Sequence, residues 1–407
     1  MAGHDQAERD AFYRDPYPLY ARARQAEGLT YVPEAEAWLV ARDRDVREVL
    51  RRAGDFSSVN ALLPDVPLSE EALGVLAGGF APRPTVVSSD GAAHRRHRAP
   101  LNHGLSAARV ADLVPYAEKC AHELVDGFAA DGRAELVAAY ARQLPGQVVG
   151  RLLGLDPADV PAAVHGGHRA EQLLFRPLSP AEQAAAAQDV VALQHLLDRY
   201  ARDRRADPRD DLCSHLVAAL APGVAELTLE QRHELVANLQ NLLIAGFLTT
   251  GALIATTLLH LLADREQWRM LCADPALVPA AVEEAARFDT AVQAFRRTTT
   301  RPLTLAGTHL PAGATLLVAY GSANRDERRH PRAAAFDVRR PEDRRHLAFG
   351  HGPHACPGSH LARAQLRLTL DLFVRTLPDL RLAGDRPPPR MRPTLIDRSP
   401  ETLHVVW

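Results

Sequence analysis

The chain of 407 residues is poor in cysteine, lysine and aromatic side chains. Its four cysteines, Cys120, Cys213, Cys272 and Cys356, are widely separated and show no disulfide framework, so a reducing cytoplasm is the expected compartment. Lys119 is the single lysine, and the net charge of −2 gives no reason to expect nucleic acid or an anionic membrane as a partner. The polar start, MAGHDQAERDAF, predicts neither a signal peptide nor a membrane anchor, and no later apolar run is expected to reach spanning length free of charge.

The bulk composition, 46% hydrophobic and 24% charged residues, is that of a soluble globular protein. Length alone predicts two or three domains around a large buried core. Helical periodicity is expected in residues 107–163 and 180–220. Residues 57–89 and 166–180 are interrupted by proline or glycine and predict irregular segments, which in compact proteins are commonly lids or binding loops.

The most informative stretch is residues 346–366, HLAFGHGPHACPGSHLARAQL, with Cys356 at its centre. Gly350, Gly352 and Gly358 permit backbone conformations that are closed to other residues and permit close approach to another group. The sequence becomes helical after Gly358, and a thiol just before a helix start is favoured as thiolate by the unpaired N–H groups there. A lone thiolate in a glycine loop suits an axial iron ligand better than a zinc site, which usually needs four protein ligands.

Three alternatives apply to this stretch. A lone cysteine is most often a small buried hydrophobe. The Gly350-x-Gly352 pair could be a fragment of a dinucleotide loop, although no strand–loop–helix unit surrounds it. The four histidines near Cys356 could bind zinc, although paired cysteines and HExxH spacing are absent; they are His346, His351, His354 and His360.

The segment FGHGPHACPG, Phe349 to Gly358, resembles the FGxGxHxCxG loop of cytochrome P450 enzymes, with every fixed position filled. The resemblance implies that Cys356 is the axial thiolate ligand of haem b, iron protoporphyrin IX. It also implies that Phe349, Gly350, His354 and Gly358 contact the haem. No CxxCH attachment sequence occurs, so the haem is expected to bind without covalent links.

Residues 89–106 contain His94 and Arg98 one helical turn apart, after Ser89 or Asp90 as a helix cap. Taken alone, such a run predicts a solvated basic face. The resemblance implies instead that this HxxxR pair holds the haem propionates, as does Arg297 on a later strand, and it leaves His97 as a surface residue.

A long helix is expected after Thr228, which forms a capping box with Gln231. Its centre is apolar all round and therefore predicts a core helix. The break AGFLTT, Ala245 to Thr250, could bend it through a threonine bonded one turn back. This break resembles the AGxETT sequence on the oxygen side of the haem, which implies haem contacts for Ala245, Gly246 and Thr249 and a catalytic role for Thr249 and Thr250.

The chain departs from the family pattern at Leu248, where an acid usually precedes the catalytic threonine. Leucine cannot carry protons, so delivery to dioxygen must use water, Thr249 or Thr250, or the substrate. Besides monooxygenation, the sequence therefore suggests oxidative coupling, cyclisation or dehydrogenation without oxygen insertion.

Glu284 and Arg287 form an ExxR pattern, which by itself is a common i, i+3 ion pair. The resemblance implies a buried structural clasp under the haem loop. With the segment ANRD at residues 323–326, the matching motifs occur in family order along essentially the whole chain. They imply one mainly α domain with small β-sheets (α+β), residues 1–407, in the cytochrome P450 fold.

The resemblance implies a soluble, cytoplasmic and monomeric oxidase. It would act on a small molecule with electrons from a ferredoxin or similar partner. Arg98, Arg344 or Arg345 could meet that partner's acidic surface. Tailoring of bacterial secondary metabolites is the expected setting, and a haem sensor without turnover is the alternative from another class. An apolar or aromatic substrate is expected from the candidate pocket residues, which are Leu62, Leu63, Phe80, Leu174, Phe175, Leu242, Phe247, Leu248, Val292, Phe295 and Ile396.

Overall fold

The computed structural model describes residues 2–341 and 345–407, and side chains from residue 7 onward. The described chain is mainly α-helical with small sheets, which confirms the expected fold class. The α-helices are α1 Ala2–Arg14, α2 Tyr17–Gln25, α3 Asp43–Arg51, α4 Glu70–Leu76, α5 Gly91–Gly104, α6 Ala107–Asp126, α7 Gln143–Leu153, α8 Val160–Phe175, α9 Pro180–Ala206, α10 Leu212–Leu220, α11 Leu229–Ala263, α12 Arg265–Ala273, α13 Val278–Phe288, α14 Tyr320–Ala323 and α15 Ser359–Thr376.

The strands form three sheets. Their bounds are β1 Thr30–Val32, β2 Ala37–Val40, β3 Phe56–Ser57, β4 Arg133–Glu135, β5 Ala294–Thr299, β6 Leu303–Leu305, β7 Thr308–Leu310, β8 Thr315–Ala319, β9 Arg381–Leu382 and β10 His404–Val406. The largest sheet has the order β1-β2-β8-β5-β3, in which only β2 and β8 run parallel; the others are β4-β10-β9 and β6-β7.

The chain divides into two compact units. The first contains the described residues of Met1–Ser57, Tyr116–Leu144 and Thr249–Trp407, and the second contains Ser58–Pro115 and Pro145–Leu248. Helices α6, α7 and α11 contribute residues to both units, and every strand lies in the first.

The core of the first unit forms where α3 packs on the large sheet. Val46, Val49 and Leu50 lie on one face of α3 and are buried with Leu316 and Val318 of β8. Burial of each such side chain contributes about 1.5–3 kcal/mol.

The second unit is helical, and α9 and α11 both approach α8 closely because of two adjacent glycines. A Cβ on Gly166 of α8 would lie 2.7 Å from Leu193 Cβ of α9, and one on Gly167 would lie 2.8 Å from the Phe247 ring of α11. The prediction of an interrupted stretch at 166–180 is therefore wrong for its first part, because these glycines serve packing and α8 continues to Phe175. Residues 176–179 connect α8 to α9, which Ser179 caps.

Residues 58–90 of the second unit are largely irregular, as predicted, apart from the short helix α4. Side-chain amides of α9 hold this segment: Gln183 Oε1 accepts the Ser69 N–H at 2.6 Å, and Gln194 Oε1 accepts the Phe80 N–H at 2.8 Å. The segment is thus tied to α9 at two points.

The long helix α11 begins with the predicted capping box. Gln231 Oε1 accepts the Thr228 N–H at 3.0 Å, and Thr228 Oγ1 accepts the Gln231 N–H at 3.3 Å. By length and composition α11 could cross a membrane, so the expectation that no apolar run reaches that length is wrong. About two thirds of its most apolar window (67%) is buried within the protein, as in the core helix of a soluble protein.

Candidate active site

The segment before Cys356 is a tight turn fixed by its own backbone. Gly350 N–H donates to Leu347 at 2.9 Å, and Cys356 N–H donates to the Phe349 carbonyl at 2.8 Å. Gly350 and Gly352 have φ angles of +70° and +71°, a region that disfavours residues with a Cβ. The turn therefore requires glycine at these two positions.

Two glycines of this turn have different roles. A Cβ on Gly352 would clash with the carbonyl oxygen of Leu50 at the end of α3, so this glycine also allows close backbone approach. Gly358 has a φ of −85°, which any residue adopts, so the expected special conformation is wrong there. Gly358 is instead the N-cap of α15, and an added Cβ would lie 3.9 Å from Cys356 Sγ.

Cys356 differs from the other three cysteines in its exposure. It is exposed, whereas Cys120 and Cys213 are buried and Cys272 is half-buried, and none of the four forms a disulfide. Burial raises the pKa of Cys213 to about 12 and also raises the pKa of Cys120 and Cys272, so these three remain thiols. Cys356, three residues before α15, is the thiol placed to bind an external group.

The zinc alternative finds no support in the described residues, which contain no cluster of three potential metal ligands. Both nitrogens of His346 are engaged, since Nε2 lies 3.0 Å from Glu283 Oε2 and Nδ1 accepts the Ala348 N–H at 3.2 Å. His354 ends the short 3₁₀ turn Gly352–His354 and is half-buried.

Glu284 and Arg287 of α13 form the predicted ion pair, and it is buried. Arg287 donates to both carboxylate oxygens at 2.7 and 2.8 Å. Its guanidinium also donates to the backbone carbonyls of Asn324, Ala333 and Ala335 at 2.9, 2.9 and 3.1 Å. The pair thereby fixes the chain segment that precedes the Cys356 turn.

A second carboxylate, Glu283, was missed by the sequence reasoning although it directly precedes Glu284. Arg363 of α15 donates to both of its oxygens at 2.6 and 2.8 Å, and His346 donates from Nε2. Burial would raise the pKa of Glu283, but these bonds outweigh burial and hold the pKa at about 2. The Arg363 guanidinium also lies 4.3 Å from the ring centre of Phe349, whose carbonyl accepts the Cys356 N–H. Glu283 is thus linked to Cys356 through two intervening residues, Arg363 and Phe349.

In the second unit, α5 carries His94 and Arg98 as predicted. His94 is buried, and burial, followed by the nearby Arg98 charge, lowers its pKa. Arg98 donates from Nε to Asn102 Oδ1 at 2.8 Å. Asp90 occupies the N-cap position without a side-chain capping bond, because its carboxylate accepts the Ser58 N–H at 3.1 and 3.3 Å.

His97 is buried, so its expected surface position is wrong. It is 4% exposed, its Nε2 lies 2.9 Å from Glu234 Oε1 of α11, and its Nδ1 lies 3.2 Å from Ser89 Oγ. Arg96 also binds Glu234. Burial would raise the pKa of Glu234, but the bonds from Arg96 and His97 outweigh it and lower that pKa.

Arg297 lies in β5 and is 5% exposed. Among the described residues, its guanidinium donates to the Arg296 carbonyl at 2.7 Å. Burial raises the pKa of the neighbouring Tyr320 hydroxyl, and the Arg297 charge opposes that rise. Neither neighbour is an anion, although a buried arginine is usually matched by a negative charge. The position is therefore suited to an external carboxylate.

The centre of α11 is accessible along one face. Ala245 is exposed, Gly246 and Thr249 are half-buried, and Thr250 is buried. Gly246 packs on Val149, where an added Cβ would lie 2.5 Å from Cγ2. The helix shows no break through Ala245–Thr250.

Comparison with known proteins decides the family. The family model described as Cytochrome P450 matches residues 169–405. The chain belongs to the cytochrome P450 family. Among relatives of this P450, Mycinamicin IV hydroxylase/epoxidase of Micromonospora griseorubida is 37% identical over 91% of this chain and 90% of its own. Cytochrome P450 monooxygenase PikC of Streptomyces venezuelae is 35% identical over 91% of this chain and 86% of its own.

Solved cytochrome P450 structures share the fold. The structure of cytochrome P450 CREJ in complex with (4-ethylphenyl) dihydrogen phosphate has a TM-score of 0.90 and 29% identity, covering 97% of this chain and 98% of its own. The Tepidiphilus thermophilus P450 heme domain has a TM-score of 0.88 and 29% identity, covering 98% and 95%. The chain is therefore an oxidoreductase of the P450 monooxygenase class, a class that holds haem through a cysteine thiolate.

The residues of this P450 suit haem in two respects. The exposed Cys356 thiol can supply the thiolate ligand, and the buried guanidinium of Arg297 can receive a carboxylate such as a haem propionate. Leu248 is 5% exposed, so the P450 helix α11 carries a buried alkyl group at the position where the family usually carries an acid.

The candidate pocket residues have varied environments in the P450. In the second unit, Leu63 is exposed, Leu62, Leu174 and Leu242 are half-buried, and Phe80, Phe175, Phe247 and Leu248 are buried. In the first unit, Val292, Phe295 and Ile396 are half-buried. A cavity of about 660 Å³ in the second unit is lined by charged residues such as Arg109, Asp156 and Arg204, and by none of the candidate residues.

Proposed function

We propose that Cys356 is the axial thiolate ligand of haem b and that the protein oxidises an apolar or aromatic small molecule. The observation that carries the proposal is the exposed thiol of Cys356, which a glycine turn holds at the start of α15. The other three cysteines, by contrast, have a raised pKa and remain thiols. Bound haem supplies dioxygen activation, and the thiolate donates the electron density that favours O–O cleavage.

The chain's own residues then have distinct roles. His94, Arg98 and Arg297 would bind haem propionates, and Phe349, Gly350, His354 and Gly358 would form the cradle around the thiolate. Thr249 would position water and move protons on the accessible face of α11, beside Ala245 and Gly246, and the adjacent buried Thr250 would assist in this proton transfer. Glu284 and Arg287 would support the turn as a structural clasp.

The relatives support a biological setting for this proposal. Mycinamicin IV hydroxylase/epoxidase of Micromonospora griseorubida and the monooxygenase PikC of Streptomyces venezuelae favour hydroxylation as the reaction, and we place it in bacterial secondary-metabolite biosynthesis. We propose a cytoplasmic monomer that receives electrons from a ferredoxin or similar donor. Arg98 and Arg345 remain candidate docking residues, and Arg344 lies outside the described residues. The single-domain prediction for residues 1–407 is supported by neighbours that cover 97–98% of the chain.

The test is replacement of the thiol. Cys356→Ala is expected to abolish the reduced carbon-monoxide spectrum of a haem thiolate, whereas Cys272→Ala should retain it. A colourless wild-type protein purified with ample haem, or an unchanged spectrum in Cys356→Ala, would contradict the proposal.

The buried Leu248 favours a second candidate reaction, oxidative coupling or dehydrogenation, because no carboxylate at this position can relay protons. Turnover under isotopically labelled dioxygen distinguishes the two. Label in the product supports monooxygenation, and an oxidised product without label supports coupling.

A further inference from the structure

We infer that Asn241 is a specificity-determining residue that hydrogen-bonds an uncharged oxygen group, a hydroxyl or carbonyl, of the substrate. The inference rests on the proposed function, because it takes α11 as the helix beside the haem. It adds a polar requirement to a pocket that the sequence predicted as apolar.

The first observation is an unsatisfied amide in an apolar run. Asn241 lies in LQNLLIAG of α11, next to Leu242 and Leu243. Its Oδ1 is buried and has no hydrogen-bond partner among the residues that the structure describes. A buried acceptor that has lost water without gaining a partner destabilises the folded protein, so an unpaired group of this kind calls for a partner from outside the chain, such as a bound molecule.

The second observation is the position of Asn241 on the helix. Residues 241, 245 and 249 follow the i, i+4, i+8 spacing of one face. Along this face Asn241 is half-buried, Ala245 is exposed and Thr249 is half-buried. Asn241 therefore lies two turns before the proposed oxygen-activating threonine, about 12 Å along the helix axis.

The chemistry follows from the amide. Half a turn about the terminal torsion of Asn241 exchanges its oxygen and its NH₂ group, so it can accept from a hydroxyl or donate to a carbonyl. A site with such a group rejects an analogue that lacks the matching oxygen, because the amide is then left unpaired again. The preferred substrate is therefore an apolar molecule that carries one hydroxyl or carbonyl group away from the position that is oxidised.

The first experiment measures stability of the haem-loaded protein. Asn241→Leu is expected to unfold at the same or a higher temperature than wild type, since leucine removes an unsatisfied acceptor. The matched control is Asn238→Leu on the same helix, which should unfold at a lower temperature because Asn238 Nδ2 donates to the Glu234 carbonyl at 2.9 Å. Equal loss of stability in both variants would show that the Asn241 amide serves the fold and would overturn the inference.

The second experiment measures binding with two probes, 1-dodecanol and dodecane, by the change in the haem absorption spectrum. Wild type is expected to bind the alcohol about tenfold more tightly than the alkane, and Asn241→Leu should lose this preference. Absence of a preference in wild type, or an unchanged preference in Asn241→Leu, overturns the inference. Failure of the proposed function is recognised separately, because wild type would then lack the haem-thiolate spectrum itself.

Discussion

His97 and Glu234 form a partly buried hydrogen bond of 2.9 Å that joins α5 to α11 within the second unit. Because Glu234 is ionised and can only accept, the proton of this bond lies on His97 Nε2. The bond fixes the rotation of α5, the helix that presents His94 and Arg98.

Glu234→Gln is expected to lower the free energy of unfolding by about 1–3 kcal/mol near neutral pH, because Arg96 and His97 lose a charged acceptor. The pKa of Glu234 is lowered in the folded protein, so its contribution is present above the pKa of the unfolded state and is lost as pH falls through the folded pKa. Urea unfolding across this pH range should therefore show that the difference in the free energy of unfolding between wild type and variant becomes smaller as the pH falls. A gap that stays constant with pH would contradict the prediction.

Glu283→Gln is expected to destabilise the protein by about 3–5 kcal/mol and to disturb the thiolate, because Arg363 and Phe349 lose their anchor beside Cys356. The variant should be less stable than wild type near neutral pH. This difference should disappear as the pH falls from 4.5, the ordinary pKa of the carboxyl group, to its pKa of about 2 in the folded protein. Conversion of the reduced carbon-monoxide spectrum to its non-thiolate form should be about tenfold faster in the variant.

The matched control for Glu283 is Asp289→Asn in the same unit. Asp289 is also buried and also binds an arginine and a histidine, Arg398 and His260, the latter at 2.9 Å. Both variants should lose stability, but only Glu283→Gln should alter the spectrum. Equal spectra in the two variants would reduce Glu283 to a purely structural role.

Gly352→Ala is expected to prevent stable haem retention, because its φ of +71° and the nearby Leu50 carbonyl leave no room for a Cβ. Gly384→Ala is the control, since nothing lies within 4 Å of its added Cβ, and its stability should change by no more than about 0.5 kcal/mol. Haem content per protein after gel filtration measures the difference. Full haem retention in Gly352→Ala would show that the turn can relax.

Local patterns in the sequence predicted those parts of the site whose partners lie within one helical turn. The Thr228–Gln231 capping box and the Glu284–Arg287 pair were found in this way, because the partners lie three positions apart in the sequence. His97 and Glu283 were not found, because their partners Glu234 and Arg363 lie 137 and 80 residues away. Nothing in a single sequence indicates which distant charge a histidine or glutamate meets.

The prediction of an interruption at residues 166–180, between α8 and α9, was partly wrong for the same reason. Gly166 and Gly167 suggested a break, whereas tertiary packing on Leu193 and Phe247 keeps the helix intact. Glycine weakens a helix by only about 1 kcal/mol relative to alanine, which close packing offsets.

The four-residue connection of residues 176–179 leaves α8 and α9 little independence, since Gly166 lies directly against Leu193 and Ser179 caps α9. We expect a bulky substrate to displace the two helices together instead of opening a gap between them. A longer connection would let α8 and α9 move separately and would broaden the range of substrate sizes that the protein binds.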